Sequence, residues 1–166
     1  NSKWSFSTAH NHTVVPVTKE QEAKLIAVLK SDAPRKEKAD ACRLLALVGT
    51  KDAVPVLAGL LADEELNHMI RYALEPIQEP AVDDALRAAL GSLKGRPLVG
   101  AIGSLGVRRD FNAVESLASL LGNGDVEVGR AAARALGSIG TPTAAEALLK
   151  ALPNTPPGSL LDVCEG

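Results

Sequence analysis

Four side chains on one stretch of this chain have the types and spacing for molecular recognition. Between residues 64 and 77, Leu66, Met69, Ile70, Ala73, Leu74 and Ile77 fill one side of a helical projection. His68, Arg71, Tyr72 and Glu75 form a stripe on the other side. A tyrosine and a histidine set between opposite charges suit docking of a protein partner, since Tyr and Arg are favoured interface anchors. The plainer alternative is a solvated face with an Arg71/Glu75 pair one turn apart. Pro76 removes one helical amide and is expected to kink this helix near its end, tilting the stripe.

Arg108 and Arg109 are the second candidate. Seven steps separate Gly106 from Ala113, against four from Gly49 to Ala53 and four from Gly140 to Ala144, so three residues are inserted at Val107-Arg108-Arg109-Asp110. Insertions in repeat arrays collect on one rim and often carry binding. Asp110 can N-cap the helix that follows. The two arginines have no evident structural role and either pair with nearby carboxylates or meet an acidic group on a partner.

Chemistry beyond binding is not legible, and the chain is expected not to be an enzyme. It shows no nucleophile with a base, no metal cluster, no phosphate-cradling loop and no Cys-x-x-Cys-His haem attachment. Asp83 and Asp84 are adjacent rather than on one helical face, which makes them a poor acid and base pair. Gly100, Gly103 and Gly106 fall inside a helical pattern, where they read as close helix packing rather than a nucleotide fingerprint. His10 and His12 lie two residues apart in an irregular stretch with no third ligand, so neither a metal nor a cofactor is expected.

The elements that position the candidates are short helices in pairs. Asp125 is an N-cap, followed by Val128, Ala131, Ala132, Ala135, Leu136 and Ile139 at helical spacing. Gly140 supplies a left-handed C-terminal residue, and Thr141-Pro142 starts a second helix with Leu148, Ala151 and Leu152 on one face. The second-helix pattern recurs at Leu25, Leu57, Leu86, Leu117 and Leu148, at intervals of 32, 29, 31 and 31 residues. First-helix ends recur as Leu44 to Gly49, Ala101 to Gly106 and Ala135 to Gly140. No such pair can bury its apolar stripe alone, so copies must stack and share a core.

The stretch from Asp125 to Gly140, DVEVGRAAARALGSIG, closely resembles the HEAT-like repeat of the phycobilisome-lyase type. The resemblance spans roughly residues 18 to 152. It implies an all-α, right-handed α-α superhelix of about four to five helical pairs. Within that group, Glu64 to Pro76 and Lys94 to Gly100 are similar to arrays in large exported bacterial proteins, which implies a periplasmic or extracellular setting; a cytoplasmic one stays open. Function is then expected to be a non-enzymatic protein-protein interaction scaffold within a larger polypeptide. The alternatives are a bilin lyase-like or other small-molecule-handling protein and, behind these, a HEAT-like DNA glycosylase. A bilin lyase would want His, Tyr or Cys in a deep pocket, whereas the second helices offer Asp83, Asp84, Arg87, Glu115, Ser119, Glu146 and Lys150.

Composition agrees. Among 166 residues, 46% are hydrophobic and only 2% aromatic, so alanine and leucine must do the packing, which suits closely spaced helices rather than a β-sandwich. A net charge of −2 argues against a sequence-independent nucleic-acid partner, which needs surplus Lys and Arg. No apolar run is long enough for membrane insertion. Three regions are expected: a non-repetitive arm at 1–17, whose Trp4, Phe6, Val14 and Val15 can cap the first helix; a repeat array at 18–153; and a Pro-rich break with a partial helix or cap at 154–166. Cys42 and Cys164, four repeat steps apart, are expected to be free thiols.

Overall fold

The computed structural model describes residues 18–152. The arm at 1–17 with His10 and His12, and the segment 154–166 with Cys164, lie outside the described residues. Thr18 opens the fold with the expected capping box: its Oγ1 accepts from Gln21 N at 3.2 Å, and Gln21 Oε1 accepts from Thr18 N at 2.9 Å. Nine α-helices and two 3-10 turns follow among the described residues, with no strand. They are α1 (Lys19–Lys30), α2 (Arg35–Val48), α3 (Val54–Gly59), α4 (Asn67–Leu74), α5 (Pro80–Ala89), α6 (Gly95–Val107), α7 (Val114–Leu120), α8 (Val126–Ile139) and α9 (Pro142–Ala151).

The helices form two layers. In the first, α2, α4, α6 and α8 pack in succession; in the second, α1 packs on α3, α3 on α5, and α7 on α9. Contacts between layers join α1 to α2, α3 to α4, α5 to α6 and α7 to α8, each second-layer helix to the first-layer helix that follows it, and α9 packs back on α8. The result is an α-α solenoid of four pairs preceded by the single helix α1, as the periodicity implied.

The core runs through the array instead of closing on a centre. Leu45, Leu74, Ile102 and Leu136 hold one position in successive first-layer helices, and all four are fully buried. Of the recurring second-layer leucines, Leu57, Leu86 and Leu117 are fully buried while Leu25 and Leu148, in the end helices, are only partly covered. Burying each such side chain contributes about 1.5–3 kcal/mol, and only a neighbouring unit on both sides completes that burial. The local signals of the last unit also appear as expected. Asp125 caps α8 by accepting from Glu127 N, Gly140 adopts φ 64°, and Thr141 caps α9 by accepting from Ala144 N.

One helix differs from its expected extent. The stretch 64–77 is not continuous, because Asp63 Oδ1 accepts from both Glu65 N and Leu66 N and holds a turn there. The helix begins at Asn67, whose Nδ2 donates to Leu61 O at 2.6 Å, and it ends at Leu74. Pro76 therefore lies beyond the helix and kinks nothing. No described helix is long and apolar enough to cross a membrane.

Candidate functional site

The expected recognition stripe is divided by the packing of α4 on α6. His68 and Tyr72 are exposed, Tyr72 at 51%. Arg71 and Glu75 instead turn toward the neighbouring unit. Arg71 Nε donates to Asn67 Oδ1 at 2.8 Å and lies over Gly100, where a Cβ would come within 2.5 Å of it. Ser104 Oγ, fully buried on α6, donates to Glu75 Oε1 at 2.7 Å, and Arg71 sits 3.9 Å from the same carboxylate oxygen. The two charges thus tie one helical pair to the next: the expected Arg71/Glu75 pair one turn apart is present, but on a half-buried face rather than a solvated one.

Arg108 takes the first of the two roles open to it and pairs with a nearby carboxylate. Its side chain is only 10% exposed, and its guanidinium makes a fork with Asp83: Nε to Oδ1 at 2.6 Å and Nη2 to Oδ2 at 3.1 Å. Nη1 donates to the carbonyls of Glu75 and Ile77 at 2.8 and 2.7 Å, and Nη2 to that of Glu79 at 3.2 Å. These carbonyls belong to the end of α4 and the turn into α5. At the position equivalent to Gly140, which ends α8 in the left-handed conformation, the exit from α4 carries Gln78, so no glycine motif collects its terminal carbonyls. The inserted arginine of the following unit does so instead.

The rest of the insertion closes α6. Arg109 N donates to Gly106 O and Asp110 N to Leu105 O, the bond pair of a Schellman motif, with Arg109 at φ 51° in the place glycine usually takes. Arg109 is exposed. Asp110 caps the next turn as expected, accepting from Asn112 N at 3.1 Å. Its other oxygen lies 2.9 Å from Arg87 Nε without a directed hydrogen bond. Burial pushes the Asp110 carboxyl above its ordinary value, and the attraction of Arg87 offsets this only in part. Asp84 takes a second bond from Arg87 at 2.6 Å.

What remains open to a partner is a trough along the outer side of α6. Two adjoining hollows, about 500 and 300 Å³, share Arg71, Val99 and Gly100. The first is walled by His68 of α4, Arg96 of α6 and Glu127 of α8, the second by Val107 of α6 and by Arg134 and Ser138 of α8. Glycines make α6 the low helix of the three. Gly106 is needed for packing, because a Cβ there would meet Ala135 Cα at 3.0 Å. Gly103 is not: it is exposed, and a Cβ there would meet nothing within 4 Å. The expectation that all three glycines serve close packing holds for Gly100 and Gly106 and fails for Gly103. A glycine inside a helix costs about 0.5–1 kcal/mol relative to alanine, and nothing in the fold offsets that cost here.

Of the six candidate residues, the trough gathers His68 and Arg71; Tyr72 and Arg109 are exposed elsewhere, and Glu75 and Arg108 are internal. Val99, Arg134 and Ser138 were not singled out from the sequence, and Gly103 was read only as a packing residue. A separate hollow of about 640 Å³ lies between α7 and α9, with Phe111, Glu115, Glu146 and Lys150 among its walls. Among the described residues, no group of three His, Cys, Asp or Glu side chains is placed to hold a metal. Cys42 is fully buried in α2 and its thiol is pushed up to about 11 by desolvation.

The family model described as HEAT repeats matches residues 98–162, which take in α6 to α9. No curated protein matches this chain. The matched region holds two of the four stacked pairs, and the preceding pairs repeat its helix order and its buried positions. Residues 98–162 are thus similar to HEAT repeats, and the described residues as a whole form an all-α solenoid of the kind such repeats build.

Proposed function

We propose that this chain is a non-enzymatic scaffold that docks a protein partner in the trough over α6. Gly103 carries the reading: it lowers the floor of the trough at a cost in helix stability that no contact within the fold requires, as expected where another chain approaches the backbone closely. Arg71 and Arg96 together with Glu64 and Glu127 provide both signs of charge around an apolar floor of Val99 and Val107. That mixture fits a polypeptide better than a polyanion, so nucleic acid is not the proposed partner. The test is capture from lysate of the source organism with the wild type and with Gly103→Leu, whose side chain fills the trough without touching the core. A protein retained by the wild type and lost with Gly103→Leu supports the proposal. Equal retention, or loss only when Phe111 or Lys150 is changed, refutes it and points to the α7/α9 hollow.

Within HEAT-like proteins we place these repeats nearest the phycobilisome-lyase type, on the residues from Asp125 to Gly140. A bilin-handling role is ranked below docking, because among the described residues the one cysteine, Cys42, is buried with its thiol pushed up by desolvation and is not open to a bilin. A visible-absorbance titration with a tetrapyrrole tests that ranking; a spectral shift dependent on His68 would reverse it.

A further inference from the structure

Arg71 stands in both hollows of the trough, with the outer edge of its guanidinium unused. Its side chain is only 21% exposed. The inner edge is firmly held: Nε donates to Asn67 Oδ1 at 2.8 Å, and Asn67, 6% exposed, is itself fixed by the bond from its Nδ2 to Leu61 O. The guanidinium rests against the backbone of α6, where a Cβ on residue 100 would come within 2.8 Å of its Cζ, so only glycine admits it there. Nη1 and Nη2 make no hydrogen bond among the described residues. Glu75 Oε1 lies 3.9 Å from Nη1, beyond hydrogen-bond reach, and already accepts from Ser104. Arg108 shows what this fold does when it closes an ion pair for its own stability, with two bonds of 2.6 and 3.1 Å to Asp83. At Arg71 the anchoring is complete and the counter-ion is not, which is costly for a half-buried charge.

The unused edge has a definite chemistry. Paired Nη donors in one plane match the two oxygens of a carboxylate. The surroundings agree in sign: the second hollow adds the positive charge of Arg134 and the hydroxyl of Ser138, and its walls include no carboxylate. A phosphate dianion fits less well, because Glu75 stays beside Nη1 while Glu64 and Glu127 wall the adjoining hollow. Position narrows the source. Arg71 is common to both hollows, so a segment lying along the trough passes it at mid-length and offers a side chain there rather than a chain end.

We infer that Arg71 receives an Asp or Glu side chain from the interior of the partner's docked segment, through Nη1 and Nη2. This rests on the docking reading above and names the chemistry that the partner must carry. Holding Nε on Asn67 before the partner arrives spares the ordering of a long side chain on binding.

The test is selection of random displayed peptides on the wild-type protein with counter-selection on Gly103→Leu, so that the peptides kept are those that need the trough. They are expected to share one internal Asp or Glu, and replacing it by its amide should weaken Kd by about tenfold or more. Arg71→Met should weaken the acidic peptide equally and leave its amide version unchanged. Glu75→Gln keeps an oxygen for Ser104 but removes the competing charge, so it should tighten the acidic peptide by about threefold or more. The amide and Glu75→Gln arms need no change at Arg71 and decide the matter even if Arg71→Met does not fold. Trough-dependent peptides without a shared acid, or an amide effect below about twofold, overturn the inference and leave the docking reading standing. Tighter binding of a phosphoserine at the acid position, or a preference for C-terminal carboxylates, also overturns it. If no peptide distinguishes wild type from Gly103→Leu, the docking reading fails and the inference falls with it.

Discussion

Arg108→Ala removes five hydrogen bonds at once and shows whether the inserted residues serve a partner or the fold. The guanidinium is 10% exposed and Asp83 is 23% exposed. Truncation strands that carboxylate together with the carbonyls of Glu75, Ile77 and Glu79. Removing one member of a buried ion pair costs about 3–5 kcal/mol. Asp83 can regain some water at its exposed edge, so a loss of about 3 kcal/mol is expected, a large share of the roughly 5–15 kcal/mol typical of a whole domain. Arg108→Lys should lose about 1–2 kcal/mol, because an ammonium offers no planar fork and cannot reach both Asp83 and the carbonyls. The assay is urea unfolding followed by circular dichroism, with Asp83→Asn completing a double-mutant cycle whose coupling should be about 1–2 kcal/mol. A loss below about 0.5 kcal/mol for Arg108→Ala, the size of an ordinary surface change, would refute the capping role.

Gly103→Ala should stabilise the chain by about 0.4–1 kcal/mol and Gly106→Ala should destabilise it by about 1–3 kcal/mol, measured by the same unfolding curves; effects of equal sign would contradict the contacts assigned to the two glycines. Asp110, with its carboxyl raised by burial, binds a proton more readily folded than unfolded, so its contribution to stability falls as pH rises from the ordinary carboxylate value of 3.8 through the raised folded value. Asp110→Asn keeps the cap and removes that dependence: its stability advantage over wild type should be largest at neutral pH and shrink as pH falls through this window, and a flat difference curve would exclude the assignment. Cys42 should resist alkylation in native protein at neutral pH and react fully in urea, read by peptide mass spectrometry; native labelling would mean that α2 is not packed as described.

The architecture was legible because repetition multiplies weak signals. A single pair such as Asp125 to Leu152 shows a cap, an apolar stripe, a glycine and a Thr-Pro start, and five occurrences of the leucine pattern fix the period. The boundaries of α4 were not, because Asp63 turns the chain through side-chain bonds that compete with helix, whereas apolar periodicity runs on through the turn. Which candidate side chains face solvent was not legible for a related reason. A helical projection assigns two faces, inside and outside, but a first-layer helix has lateral faces as well, and Arg71 and Glu75 lie on one of them. Arg108 stands over thirty residues from the carbonyl of Glu75, and no local pattern announces such a bond. One signal was available: the missing glycine at Gln78 and the surplus arginine in the next unit are complementary departures from the same repeat. Gly103 could not be told from Gly106 by sequence, since only the position of α8 separates a glycine that is packed from one that is open.

The most direct measurement of the docking face is photocrosslinking in the source organism, with a photoreactive phenylalanine placed at Gly103 and, as control, at the exposed Ala88 of α5. The expected result is a discrete protein adduct from position 103 that position 88 does not give. Adducts from position 88 alone, or the same adducts from both, would contradict a partner seated over α6.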